Sequence, residues 1–223
     1  MAVGPQATSR RAPVYGRSAA AERLLGGGPT GNERLTAATG AVLIVLLAVV
    51  GVTILRLRPL LSVHLFVGML LIPPVMLKMA TTGYRFARYY MANPAYRRKG
   101  PPPALLRMIA PLLVLTTVVM LASGVALLFA GPSSRDTLLP IHKVSFFAWL
   151  AVTALHVLGH LPGIPAALRA DYGRENLLSE DVGGRSGRGL ALAGALVAGI
   201  VLAILVIPEF GAWLSSYGHL HEG

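Results

Sequence analysis

Four of the six histidines in this chain lie in or beside apolar sequence: His64 in "LSVHLFVG", and His142, His156 and His160 in "PIHKVSFFAWLAVTALHVLGHL". Imidazole is a nitrogen ligand for transition metals and a carrier of protons near neutral pH. An ionisable side chain inside a bilayer is costly, so each of the four is a functional candidate. The chain has no cysteine, which excludes disulfides, thiolate-bound iron–sulfur clusters and haem attached through C-x-x-C-H. Any metal must therefore be held by nitrogen or oxygen. The remaining two histidines, His219 and His221 in "GHLHEG", read as part of a mobile tail.

The elements that carry these histidines follow from where charge is missing. Of 223 residues 54% are hydrophobic and only 13% charged, with a mean hydropathy of +0.64; soluble domains carry about 25% charged residues. Five windows hold no Asp, Glu, Lys or Arg at all: Leu35 to Leu55, Pro59 to Leu77, Met108 to Ser134, Val144 to Leu168 and Gly189 to Pro208. Each reaches the roughly 20 residues that cross a hydrocarbon layer about 30 Å thick. The expected fold is all-α and integral to the membrane: five transmembrane helices at about 36–55, 60–80, 106–130, 138–161 and 189–208, the first four forming a bundle and the fifth added to it. Residues 35–217 make the membrane domain and 218–223 the tail. The first window is preceded by a long arm, exceeds the h-region of a signal peptide and lacks a cleavage signal, so it reads as a retained anchor.

The net charge of +11 has a topological origin. Lys and Arg number five in the N-terminal arm, seven between helices two and three, and four between helices four and five, against two in each intervening link. By the positive-inside rule the N-terminus is cytoplasmic and the C-terminus outside. No nucleic-acid role is needed to explain the charge. Residues 1–34, rich in Gly, Ala, Ser and Arg, read as a disordered basic arm near anionic lipid. "GYRFARYY" reads as an aromatic belt with basic anchors or as a docking face for a cytoplasmic partner, and "NPAYRRKGPPP" as a stiff basic loop. Pro73 and Pro74 predict a kink in helix two, while Trp213 and Tyr217 suit the outer interface. The composition fits a bacterial plasma membrane.

Depth brings two histidines together. Helices two and four run in the same direction, and His64 and His142 each lie about four residues inside their outer ends, roughly 6 Å down. Gly51 in "VVGVTIL" and Gly124 in "LASGVALL" fall in the same layer on helices one and three. The halves of the chain thus repeat a pattern: a small residue near the end of one helix, a short turn, then a histidine just inside the next. Two imidazoles at equal depth with small residues beside them suit a b-type haem, the iron taking one nitrogen from each side. The plainer reading makes the glycines packing residues and the histidines interfacial or hydrogen-bonded to a neighbouring carbonyl.

His156 and His160 stand 14 and 18 residues beyond His142, on nearly the same helix face and about 21 Å deeper for the first. The position 14 residues beyond His64 is Lys78, so a second bis-histidine site lacks a partner. Three readings stand for the pair: a structural or interfacial role, a contact with a quinone or a haem propionate, or a divalent metal or second haem. Lys78 in turn suits a propionate, a quinone oxygen or a lipid phosphate. The five windows hold no carboxylate, which disfavours a proton relay or an ion-coupled transporter.

"GVTIL" followed by "VHLFVG", then "SGVALL" followed by "IHKVSFFAWL", resembles the four-helix membrane cytochrome b superfamily, which includes membrane subunits of hydrogenases and formate dehydrogenases. With "GYRFARYY" and "AYRRKGPPP" the chain looks closest to small actinobacterial multi-pass membrane proteins. The likeness covers about Thr36 to Leu161. It implies that His64 and His142 are axial haem ligands and that electrons pass between the haem and a quinone or partner protein. It implies an electron-transfer subunit of an oxidoreductase rather than an enzyme complete in itself. The chain departs from that pattern in its incomplete inner ligand pair and its fifth helix. The competing expectation is a cofactor-free membrane anchor or assembly protein that docks a partner on its basic cytoplasmic loop.

Overall fold

In a computed structural model of the chain, residues 27–98, 100, 104–160 and 184–219 are described, and among them every regular element is helical. The helices are α1 (Gly28–Leu55), α2 (Leu61–Tyr90), α3 (Pro94–Arg98), α4 (Ala104–Ala130), α5 (Arg135–His160), α6 (Arg185–Leu205) and α7 (Phe210–His219). Five of them, α1, α2, α4, α5 and α6, are long and apolar enough to cross a membrane. Even α6, with 21 residues, spans about 31 Å. Their outward faces are apolar, with Val45, Leu115, Phe147, Val197 and Leu205 all largely exposed. Such a surface would aggregate in water and is the natural one against lipid tails.

Helix α2 is the central element. It packs along α1 on one side and along α6 on the other, while α4 packs along α5. The two units meet chiefly through a cluster at the end of the bundle where α1 turns into α2. There Leu61 and Met69 of α2, Leu127 and Leu128 of α4, Ala203 of α6 and Val206 just after it, and Phe210 and Trp213 of α7 are buried together. Trp213, expected at an interface, is instead part of this core, and its indole N–H donates to the Leu127 carbonyl at 3.1 Å. Tyr217 has its side chain outside the described residues. Gly131, at φ 72°, ends α4 with its N–H on the same Leu127 carbonyl at 3.1 Å, and a 3₁₀ turn at Pro132–Ser134 leads into α5.

The fifth membrane helix is fastened to the proline pair of α2. Pro73 and Pro74 have no N–H, so the carbonyls of Met69 and Leu70 lose their helical donors. Gly199 of α6 lies directly on the Leu70 carbonyl, so close that an added Cβ would collide with that oxygen; the Leu70 carbonyl carbon would be 3.2 Å away. Only an α-hydrogen fits there, the arrangement of a Cα–H···O contact.

At the opposite end α1 begins at Gly28 rather than near Thr36, and residues 28–34, read from composition as part of the arm, are helical. Long-range contacts account for the extension. Asn32 donates to the Thr81 carbonyl at 3.0 Å, Lys78 Nζ donates to the Thr36 carbonyl at 2.6 Å, and Glu33 lies 3.8 Å from Arg85. The 30 residues of α2 give about 45 Å of helix, so its final turns run past the apolar layer. Within the expected basic loop, Asn93 caps the short α3 by accepting the Ala95 N–H at 3.2 Å. That turn buries Tyr96 edge-on to Tyr84, with the Arg88 guanidinium 5.8 Å and 6.0 Å from the two ring centres. Burial, and then the neighbouring Tyr84, push the Tyr96 phenol above its ordinary pKa. The residues expected in the arm at 1–26 and in the second basic loop at 161–183 lie outside the described residues.

Candidate functional site

His64 occupies the first turn of α2, where its backbone N–H closes onto the Leu60 carbonyl at 2.8 Å. The short Arg56–Leu60 turn places it beside the last turn of α1. There Thr53, 2% exposed, has its hydroxyl 2.9 Å from His64 Nδ1. The same hydroxyl donates to the Val50 carbonyl at 2.6 Å. Its one proton is thus used, and the Thr53 oxygen meets the imidazole as an acceptor. The network therefore assigns the proton of His64 to Nδ1 and the lone pair to Nε2.

The second half of the chain builds the same arrangement with different residues. His142, on the second turn of α5, has Nδ1 3.0 Å from the hydroxyl of Ser123 on α4. Ser123, itself buried, donates to the Met120 carbonyl at 3.0 Å. His142 Nδ1 is also 3.2 Å from that Met120 carbonyl, which can only accept. This assigns Nδ1–H to His142 as well. Ser145, one turn further along α5, donates to the His142 carbonyl at 3.0 Å and lies 3.4 Å from Ser123 Oγ.

The two imidazoles, expected at one depth, are both half-buried. The glycines of the layer take separate roles. Gly124 receives the His142 ring: a Cβ there would lie 3.1 Å from His142 Cε1, so an added methyl requires the imidazole to shift by a few tenths of an ångström. At Gly51 nothing lies within 4 Å of an added Cβ, so that part of α1 faces open space.

The other expected residues lie elsewhere. Lys78 is about 26 Å along α2 from Leu61, at the opposite end, where its ammonium rests against Gly40 and donates to Thr36. His156 is half-buried on α5, and His160 closes that helix with its side chain outside the described residues. Among the described residues no group of three or more His, Asp or Glu side chains is placed to hold a metal ion. A bis-imidazole site needs only two such ligands.

The sequence reading missed Thr53 and Ser123, although both stand inside the quoted "GVTIL" and "LASGVALL". The available signal was a hydroxyl residue near the end of each helix that precedes a histidine helix. A further buried pair, the Trp149 indole N–H donating to Thr117 Oγ1 at 3.0 Å, ties α5 to α4 below His142.

These residues fit a b-type haem on one chemical ground. A histidine that ligates iron through Nε2 is held by a hydrogen bond from its Nδ1–H, and both imidazoles have that bond in place. Comparison with known proteins adds no relative: no family model matches the chain, and neither the curated proteins nor the solved structures provide a match.

Proposed function

We propose that this chain is a b-type haem protein of the membrane that transfers electrons, with one haem held between His64 and His142. The observation that supports it is the pair of imidazoles whose Nδ1–H protons are bound to neighbouring acceptors in both halves of the chain. When bound, the haem supplies one-electron redox chemistry, and the protein supplies ligands and a low-dielectric setting that tune it. Gly124 lets His142 lie close to α4, and the open space at Gly51 leaves room beside α1.

On this reading the excess of Lys and Arg on alternate links puts the N-terminus in the cytoplasm, the C-terminus outside and the haem near the outer face of a bacterial plasma membrane. A quinone or a redox protein exchanges electrons with it, and the basic segment that contains Arg85, Arg88, Arg97 and Arg98, at the opposite end of the bundle, is a docking face for a cytoplasmic partner. The chain serves as a subunit of an oxidoreductase rather than as a complete enzyme.

One observation favours a second reading, a cofactor-free anchor or assembly protein. Phe86, Tyr90 and Met91 stand exposed together beyond the apolar layer, a face suited to a partner. A reduced-minus-oxidised absorption spectrum separates the two. The protein purified from cells supplied with haem is expected to show a sharp b-type α-band that His64→Ala or His142→Ala removes. A colourless preparation overturns the haem reading and leaves the second.

A further inference from the structure

Thr53 and Ser123 build one device twice, from different positions of the similar helix ends "GVTIL" and "SGVALL". Each sits on the helix that precedes a histidine helix, and each hydroxyl donates to the carbonyl three residues back, Val50 at 2.6 Å and Met120 at 3.0 Å. Each then stands about one hydrogen bond from an imidazole Nδ1, at 2.9 Å and 3.0 Å. A hydroxyl whose proton is engaged can only accept, so it selects one of the two neutral tautomers. The alternative tautomer, with hydrogen on Nε2, would set two lone pairs against each other at Nδ1.

We infer that Thr53 and Ser123 are positioning residues that hold His64 and His142 as Nδ1–H tautomers, keeping each Nε2 lone pair for a metal. The ligand, haem iron, rests on the reading above; the tautomer does not. The two halves are unequal, and the inequality makes the inference specific. Among the described residues His64 Nδ1 meets Thr53, whereas His142 Nδ1 meets both Ser123 and the Met120 carbonyl. Removing the Thr53 hydroxyl therefore releases His64, while removing that of Ser123 leaves His142 held by Met120. A ligand in that position also has more basic character when its Nδ1–H is engaged, so the same hydroxyl strengthens iron binding.

The test begins with haem-free protein, imidazole-labelled with ¹⁵N, in lipid nanodiscs at about pH 8, above the ordinary imidazole pKa of about 6.5. The wild type is expected to show Nδ1–H at both His64 and His142. Thr53→Val is expected to move His64 to a mixed or Nε2–H population, Thr53→Ser to restore Nδ1–H, and Ser123→Ala to leave His142 as Nδ1–H. Nε2–H at His64 in the wild type, or no change at His64 in Thr53→Val, overturns the inference. Haem titration gives the second readout. Thr53→Val is expected to bind haem about 10–100-fold more weakly, with Thr53→Ser close to wild type. Equal affinity for Val and Thr at residue 53 also overturns it. A wild type that takes up no haem defeats the functional reading, and the tautomer measurement still decides the role of Thr53. Helical circular dichroism of each variant separates a lost hydrogen bond from a lost fold.

Discussion

Gly199→Ala tests how the fifth membrane helix is held. The added methyl collides with the Leu70 carbonyl, and the obstacle is backbone on both sides, so no side chain can swing away. Either α6 moves off α2 or the α2 backbone around Pro73 and Pro74 shifts. Overpacking of this kind costs about 1–3 kcal/mol, and the lost Cα–H···O contact about 0.5–1 kcal/mol. Gly→Ala inside a helix also brings a favourable propensity of about 0.5–1 kcal/mol. Gly194→Ala on the same helix, where nothing lies within 4 Å of the new methyl, brings that propensity without the collision. The difference between the two variants isolates the clash at about 1.5–4 kcal/mol. At about 2–4 °C per kcal/mol for a chain of this length, Gly199→Ala should melt well below Gly194→Ala in detergent micelles. Thermal unfolding followed by circular dichroism supplies the comparison. Equal melting points would refute the idea that α6 docks on the freed carbonyl.

Three further perturbations probe the supports of the bundle. Thr117→Val leaves the buried Trp149 indole N–H without its acceptor and should cost about 1–3 kcal/mol; Thr117→Ser should lie close to wild type in the same melting assay. Gly40→Ala meets only the far end of the Lys78 side chain, which can move at the expense of its bond to the Thr36 carbonyl, so its cost should be that of one hydrogen bond, about 1 kcal/mol. Lys78→Met removes the bond to the Thr36 carbonyl, and faster hydrogen exchange confined to the first turns of α1 should follow; unchanged exchange there would count against Lys78 as the tie between α1 and α2.

The membrane helices were legible in the sequence because the bilayer imposes a one-dimensional rule: a span must be long and free of charge, and five windows satisfy it. Helix ends were less so. The Gly- and Pro-containing "GGGPTGNER" reads as flexible from composition, yet Asn32 and Glu33 find partners on α2, 49 residues away in the case of Asn32 and Thr81. Trp213 reads as an interfacial residue until α7 turns it onto Leu127. Depth along each span reads as a common layer for His64 and His142, since rise per residue is fixed. The rotation of a helix about its axis is not fixed by apolar sequence. For that reason Gly124 beside His142, Gly199 on Leu70, and the hydroxyls of Thr53 and Ser123 on the two imidazoles emerge only when the helices are packed together.

The central claim is that one haem is shared by His64 and His142, and electron paramagnetic resonance of the oxidised, haem-loaded protein addresses it most directly. The account predicts a low-spin ferric signal of bis-imidazole type at one haem per chain, converting to high spin or disappearing when either His64 or His142 is replaced by Ala. A high-spin signal in the wild type, or a low-spin signal that survives both single substitutions, would contradict it.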